Sequence, residues 1–238
     1  LVAQLADPSV ETRVMARNDL AATGQPGVIA MLEALAKETD PARRAAIASA
    51  AAQMNPLVVG PLLGMLDTSE PDLKLIVAGI LQKLSVQQAI PLLPQTAQSA
   101  ERTIKSALHN YRRGTLPFAV DEANQIELWQ WNDATKKLSS TRYPADEARL
   151  IWMARLARDL TRYHSENDAY TQQSLLLELE AAALLGDVKS PAFDQLQTAD
   201  LDLLNQILAD ALAANYTHAA VAAIDALTKR GFDDVLYS

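Results

Sequence analysis

Between residues 7 and 97 the chain repeats nearly the same pattern three times, and that repetition limits the folds open to it more than any other feature. An acid–proline step opens each round: Asp7-Pro8, Asp40-Pro41 and Glu70-Pro71, spaced 33 and 30 residues apart. Each step is followed by a helical apolar run. A second run then ends in a block of a small residue and leucines: Ala30-Met31-Leu32, Pro61-Leu62-Leu63 and Pro91-Leu92-Leu93. Proline is tolerated in the first turn of a helix, where its missing N–H has no intrahelical role, and an acid just before it can cap. A period in this range is the sequence signature of stacked helical hairpins, none of which can bury its apolar faces alone.

The first round spans about 7–38. Val10, Val14, Ala16 and Leu20 form a helical stripe that Gly24 closes; Gln25-Pro26-Gly27 reads as the turn, and Val28, Met31, Leu32 and Leu35 as the second helix. The second round, 40–67, carries Ile47 among many alanines and turns at Asn55-Pro56. The third, 70–98, has Leu73, Ile76, Val77, Ile80 and Leu81, then Ser85 as the expected cap of a helix holding Ile90, Leu92 and Leu93, interrupted at Pro94. A degenerate first-type helix is expected over 100–112. Residues 1–6, LVAQLA, match the tail of a second helix, so the chain reads as a fragment of a longer protein with a partial repeat at its start.

This pattern resembles the HEAT-repeat family of armadillo-type α-solenoids, in its short bacterial form. The resemblance rests on the acid–proline openings, the small residue seven or eight positions later (Ala16, Ala48, Ala78) and the proline-leucine-leucine of the second helix. It covers roughly 1–113. The basic residue usual after the opening falls at uneven offsets, at Arg13, Arg43 or Arg44, and Lys74. The resemblance implies an all-α fold, an α-α superhelix of helical hairpins, and use as a protein–protein interaction scaffold.

Composition changes after that. All twelve aromatic residues lie at or beyond Tyr111. Gly114 and Pro117 open a connector, 114–144, whose central part predicts a β-hairpin over 126–143: Ile126 to Trp131 alternates with period two, Asn132-Asp133 starts the turn, and Leu138 to Tyr143 returns. Pro144 ends it. A helical, repeat-like region follows over 145–238, with helices expected over about 145–163, 170–185, 199–214 and 217–229, the last stopped by Gly231. The pair within 145–186 has tetratricopeptide-like character at Ala154, Ala157 and Leu160.

Charge and chemistry narrow the function classes. The formal net charge of -8 disfavours a nucleic-acid backbone as partner, and the absence of any long apolar run disfavours direct membrane insertion. Without cysteine there is no thiolate metal site or cysteine nucleophile. His109, His164 and His218 fall in no metal-ligand spacing, and the glycines form no phosphate cradle, so neither metal nor cofactor is expected. His164-Ser165-Glu166 reads as a helix end capped by Ser165 rather than a catalytic set, since triads are assembled by the fold.

Two groups stand out as partner-binding candidates. Trp129 and Trp131 share one face of a strand with Glu127, which would make either a stacking platform or a seal between hairpin and helices. Glu178, Glu180, Asp200, Asp202 and Asp210 belong to a stretch, 166–225, with ten acids and a single Lys or Arg, Lys189. Such a run is either a surface for a basic partner or the solvated side of several helices. The expected function is therefore a non-catalytic scaffold or interaction module for an unidentified protein or peptide, basic if the acidic run is its surface. The alternatives are a HEAT-like lyase-type enzyme or enzyme subunit, and a sugar- or peptide-binding domain built on Trp129 and Trp131.

Overall fold

A computed structural model describes residues 1–84, 91–93, 96–115 and 120–236, with side chains as far as Arg230. It is about 70% helical. The described residues include eleven α-helices, a 3-10 turn at Val2–Ala6 and a two-stranded antiparallel sheet. The chain divides into two compact units, Leu1–Pro94 with Gln125–Tyr143, and Gln95–Asn124 with Pro144–Ser238. The hairpin, expected in a connector, thus belongs by its contacts to the first unit. The helix expected as a last degenerate round belongs to the second.

In the first unit the acid–proline steps start helices by three different local devices. Before α3 (Pro41–Ala51), the Asp40 carboxylate accepts the Arg43 N–H at 2.8 Å, an N-cap with proline in the first turn. Before α5 (Pro71–Lys83), Glu70 does not cap, and its carboxylate pairs with Lys136. Before α1 (Val10–Ala22), the cap is Ser9 rather than Asp7, which accepts the Ser9 N–H at 2.8 Å. Residues 25–27, expected as a turn, are instead the first turn of α2 (Gln25–Lys37). Gly24 takes φ 68° and completes the reversal alone, a backbone conformation other residues adopt at a cost. The second round turns at Asn55–Pro56, a cis peptide bond, before the short helix α4 (Val59–Met65).

Residues 2–6 form the 3-10 turn, which packs on α1 and α3. Helix α2 packs on α3 and α4, and α5 on α3 and α4. Leu5, Met31, Leu32, Leu35, Leu62, Met65, Leu73 and Leu81 are buried at the centre. Leu92 is also buried. Ser85 and Ile90, with Pro94 and Pro117, lie outside the described residues.

The sheet consists of β1 (Gln125–Asn132) and β2 (Lys137–Pro144), matching the expected hairpin to within a residue. Residues 133–136 form the turn, closed by Lys136 at φ 53°. Strand β1 lies on α4, where Gly60 and Gly64 leave room for it. A Cβ at Gly64 would stand 2.8 Å from the Trp129 backbone, and one at Gly60 would stand 3.0 Å from the indole.

The second unit contains α6 (Ala97–Arg112), α7 (Ala145–Tyr163), α8 (Asp168–Leu185), α9 (Pro191–Thr198), α10 (Leu201–Ala214) and α11 (Thr217–Leu236). Helix α7 lies along both α6 and α8, and α8 packs on α9, α10 and α11. The core joining α8 to α11 combines leucines with small residues: Leu175, Leu179, Leu196, Leu204, Ile207, Ala211, Ala219 and Ala223. Alanines let α10 and α11 approach closely at no side-chain entropy cost.

Three local expectations change here. Helix α9 lies outside the expected helices; Ser190 caps it, accepting the Ala192 N–H, and Pro191 occupies its first turn. The cap of α8 is Asn167, whose side chain accepts the Ala169 and Tyr170 N–H groups, not Ser165. Helix α11 runs past Gly231 to Leu236, since one glycine costs a helix only about 1 kcal/mol. The ends of α8 and α10 are closed by left-handed residues, Gly186 at φ 66° and Asn215 at φ 58°.

Candidate functional site

The two tryptophans have separate roles. Trp129 is 7% exposed and sits against the glycines of α4, while Trp131 is half-buried and donates its indole N–H to Asp133 at 2.8 Å. The two rings are therefore not a common exposed face. Around Asp133 the hairpin turn is latched to residues 68–69. Its carboxylate accepts from the Thr68 hydroxyl (2.6 Å), the Ser69 N–H (2.7 Å) and the Ser69 hydroxyl (2.8 Å) as well as from Trp131. Partial burial raises its pKa, but these hydrogen bonds outweigh burial and bring it down to about 2. Nearby, Glu33 on α2 accepts the Leu138 N–H at 3.1 Å and pairs with Lys137 at 3.3 Å.

The five acids are not gathered on one surface. Asp200 caps α10, accepting the Leu203 N–H at 2.8 Å. Asp202 stands exposed in the first turn of that helix. Glu178 accepts from Ser174 at 2.6 Å and pairs with Arg158 at 3.1 Å, which links α7 to α8. Glu180 is buried on α8 and caps another helix across 39 residues of sequence: it accepts the Ala219 N–H of α11 at 2.9 Å and faces His218 Nδ1 at 3.0 Å. Asp210 accepts from Gln172 at 2.7 Å and Gln206 at 3.1 Å.

Two of the histidines, His164 and His218, also find partners that linear spacing hides. His218 meets Glu180 as above. His164 lies 3.9 Å from Glu101 and 3.6 Å from Glu166, with its ring edge on Tyr170. Tyr170 donates its hydroxyl hydrogen to Glu101 at 2.5 Å, and Lys105 donates to the Tyr170 oxygen at 3.3 Å. The Tyr170 hydrogen bond, with Lys105 and His164 nearby, keeps the Glu101 carboxyl below its ordinary value against the effect of burial. Glu101 and Tyr170 so tie α6 to α8. Among the described residues no group of three or more His, Asp or Glu side chains is placed to hold a metal ion. No helix among them is long and apolar enough to cross a membrane.

One concavity in the second unit combines an apolar floor with polar groups on its walls. It has a volume of about 560 Å³. The end of α6 contributes Arg112, α8 contributes Ala169, Gln172, Gln173, Leu176 and Leu177, and α10 with its C-terminal turn contributes Asp210, Ala213, Ala214 and Tyr216. Leu176 and Leu177 are 8% and 1% exposed and form the floor. Arg112, exposed at the rim, has neither a hydrogen bond nor an ion pair from its side chain among the described residues. Burial raises the Tyr216 phenol above its ordinary value, Arg112 and Arg149 pull it down, and Glu180 pushes it up. Arg149 itself is paired with Asp146 at 3.0 Å. Sequence reading missed this cleft because its walls come from three helices far apart in the chain. The one local hint was the basic end of α6, where Arg112 and Arg113 stand side by side.

No protein-family model, no curated protein and no solved structure matches this chain.

Proposed function

We propose that the chain is a non-catalytic interaction module of the HEAT-like, stacked-helical-hairpin kind, and that the cleft between α6, α8 and α10 is where it holds a protein or peptide partner. The observation that carries this reading is the pairing of an apolar floor, Leu176 and Leu177, with an uncommitted arginine at the rim. The volume lies within the range of about 300–1,000 Å³ typical of ligand sites. A hydrogen bond from a charged donor contributes about 1.5–3 kcal/mol. In support of the repeat reading, the first helices of rounds two and three touch, α3 on α5, as do the second helices of rounds one and two, α2 on α4, while α3 also packs on the 3-10 turn. That is the contact scheme by which hairpins of a solenoid bury their faces.

Site-directed photocrosslinking tests the binding face. A photoreactive side chain at Ala213, exposed in the cleft, is expected to yield a defined protein or peptide adduct in cells. The same group at Val188, which is 84% exposed and outside the cleft, is expected to yield none. Identical adducts from both positions, or none from Ala213, would refute the assignment.

A further inference from the structure

We infer that the group seated in this cleft is the free C-terminal residue of a partner chain, its carboxylate on Arg112 and an aliphatic side chain on Leu176 and Leu177; this rests on the cleft being the binding face.

Three observations point there. First, Arg112 is the guanidinium at the rim without an acidic partner among the described residues, whereas Arg149, Arg158 and Arg162 each have one. A guanidinium's planar fork suits a carboxylate, which it can bind through two parallel N–H groups. Second, Asp210 lies in the same cleft. Each of its oxygens accepts one amide hydrogen bond, from Gln172 and Gln206, and keeps further acceptor capacity. A terminal residue offers both a carboxylate and a backbone N–H, and the cleft wall carries one donor, Arg112, and one acceptor, Asp210. Third, the negative charge of Asp210 disfavours a dianion such as phosphate but leaves a single carboxylate tolerable beside Arg112. The floor then selects an uncharged aliphatic side chain, since a charged one would be desolvated against leucine without a partner.

The test uses the whole chain, labelled for amide NMR at low salt, and three small probes. N-acetyl-leucine carries the terminal carboxylate and aliphatic side chain. N-acetyl-leucinamide lacks the charge. The α-amide of N-acetyl-glutamate moves the carboxylate to the side chain. N-acetyl-leucine is expected to shift the amides of 172–177 and 213–216, and to bind about tenfold or more tighter than its amide, the factor a charged hydrogen bond supplies. Arg112→Gln is expected to erase that difference, while Arg102→Gln, exposed elsewhere on α6, leaves it intact. Both variants replace solvent-exposed side chains, and their unperturbed spectra away from the cleft verify the fold.

Equal binding of acid and amide would overturn the carboxylate assignment while leaving the cleft as the binding face. Tighter binding of the glutamate amide would overturn the choice of a chain terminus. Failure of every probe to move the cleft amides would overturn the inference itself, and the Ala213 crosslinks would still decide the binding face independently.

Discussion

At the scale of single residues, the best-satisfied polar side chain in the first unit is Asp133. Four donors converge on its carboxylate, and its pKa falls from 3.8 to about 2. A folded-state pKa below the unfolded value contributes stability that is complete above about pH 4 and is lost as the pH falls through the folded value near 2. A shift of this size is worth at most about 2.5 kcal/mol. The side chain is a third exposed, so solvent screening reduces the figure to roughly 1–2 kcal/mol. Asp133→Asn removes the charge and turns one oxygen acceptor into a donor facing other donors. It should lower the urea midpoint at pH 7 and flatten the acid limb of the stability curve between pH 4 and 2. If the wild type and Asp133→Asn lose stability in parallel over that interval, the latch is not what titrates. Glu180 shows the same economy of placement without being visible beforehand: two residues from Glu178 in sequence, it turns to a different helix and caps α11.

At the scale of elements, the hairpin is seated by absence of side chains on its support. Gly64 of α4 faces the backbone of Trp129, so an added Cβ must push a strand rather than a flexible side-chain tip. Gly64→Ala should gain about 1 kcal/mol of helix propensity and lose more through overpacking, about 1–3 kcal/mol, for a net destabilisation. Gly79→Ala is the control: it lies inside the longer helix α5, and nothing lies within 4 Å of its would-be Cβ. That change should stabilise by up to about 1 kcal/mol. Urea unfolding of both variants decides the matter, and a stabilised Gly64→Ala would mean the strand is not held where it lies. The same comparison explains what could be read in advance. Acid–proline steps, period-two alternation and leucine spacing are local signals, and they located α3, α5, the hairpin and most helices of the second half. Caps moved by one or two residues, as from Asp7 to Ser9 and from Ser165 to Asn167, because several polar side chains near a helix start compete for the same N–H groups. The glycines of α4 have their reason in a strand some 65 residues later, a pairing no local pattern encodes. The cleft was hidden for the same reason. Its arginine, its leucines and its tyrosine are each unremarkable in their own helices and acquire meaning only when α6, α8 and α10 are brought together.

At the scale of the whole molecule, the chain enters the second unit, leaves it for the hairpin and returns. The points of departure and return are hydrogen-bonded to each other within the second unit, where the Asn124 carbonyl accepts the Ala145 N–H at 3.0 Å. The hairpin is therefore an excursion whose two ends stand a hydrogen bond apart, while its apolar residues, Ile126, Leu128 and Trp129, are buried in the other compact body. Replacing residues 125–143 with two glycines should span that junction without moving α7. The two units should then respond differently. Removing a large buried aromatic alone costs about 3–5 kcal/mol, a large fraction of the roughly 5–15 kcal/mol that holds a domain folded, and α4 would also lose its cover. Hydrogen exchange should show amides of α2 and α4 exchanging at least tenfold faster, with those of α8 and α10 changed by less than twofold. Uniform loss of protection in all four helices would show that the two bodies unfold as one. Unchanged protection in α4 would show that the hairpin is an ornament on the first unit rather than part of its core. The outcome also bears on the cleft, whose walls belong wholly to the second unit: a shortened chain with protected α8 and α10 should still give the Ala213 crosslink, separating the binding face from the repeats that precede it.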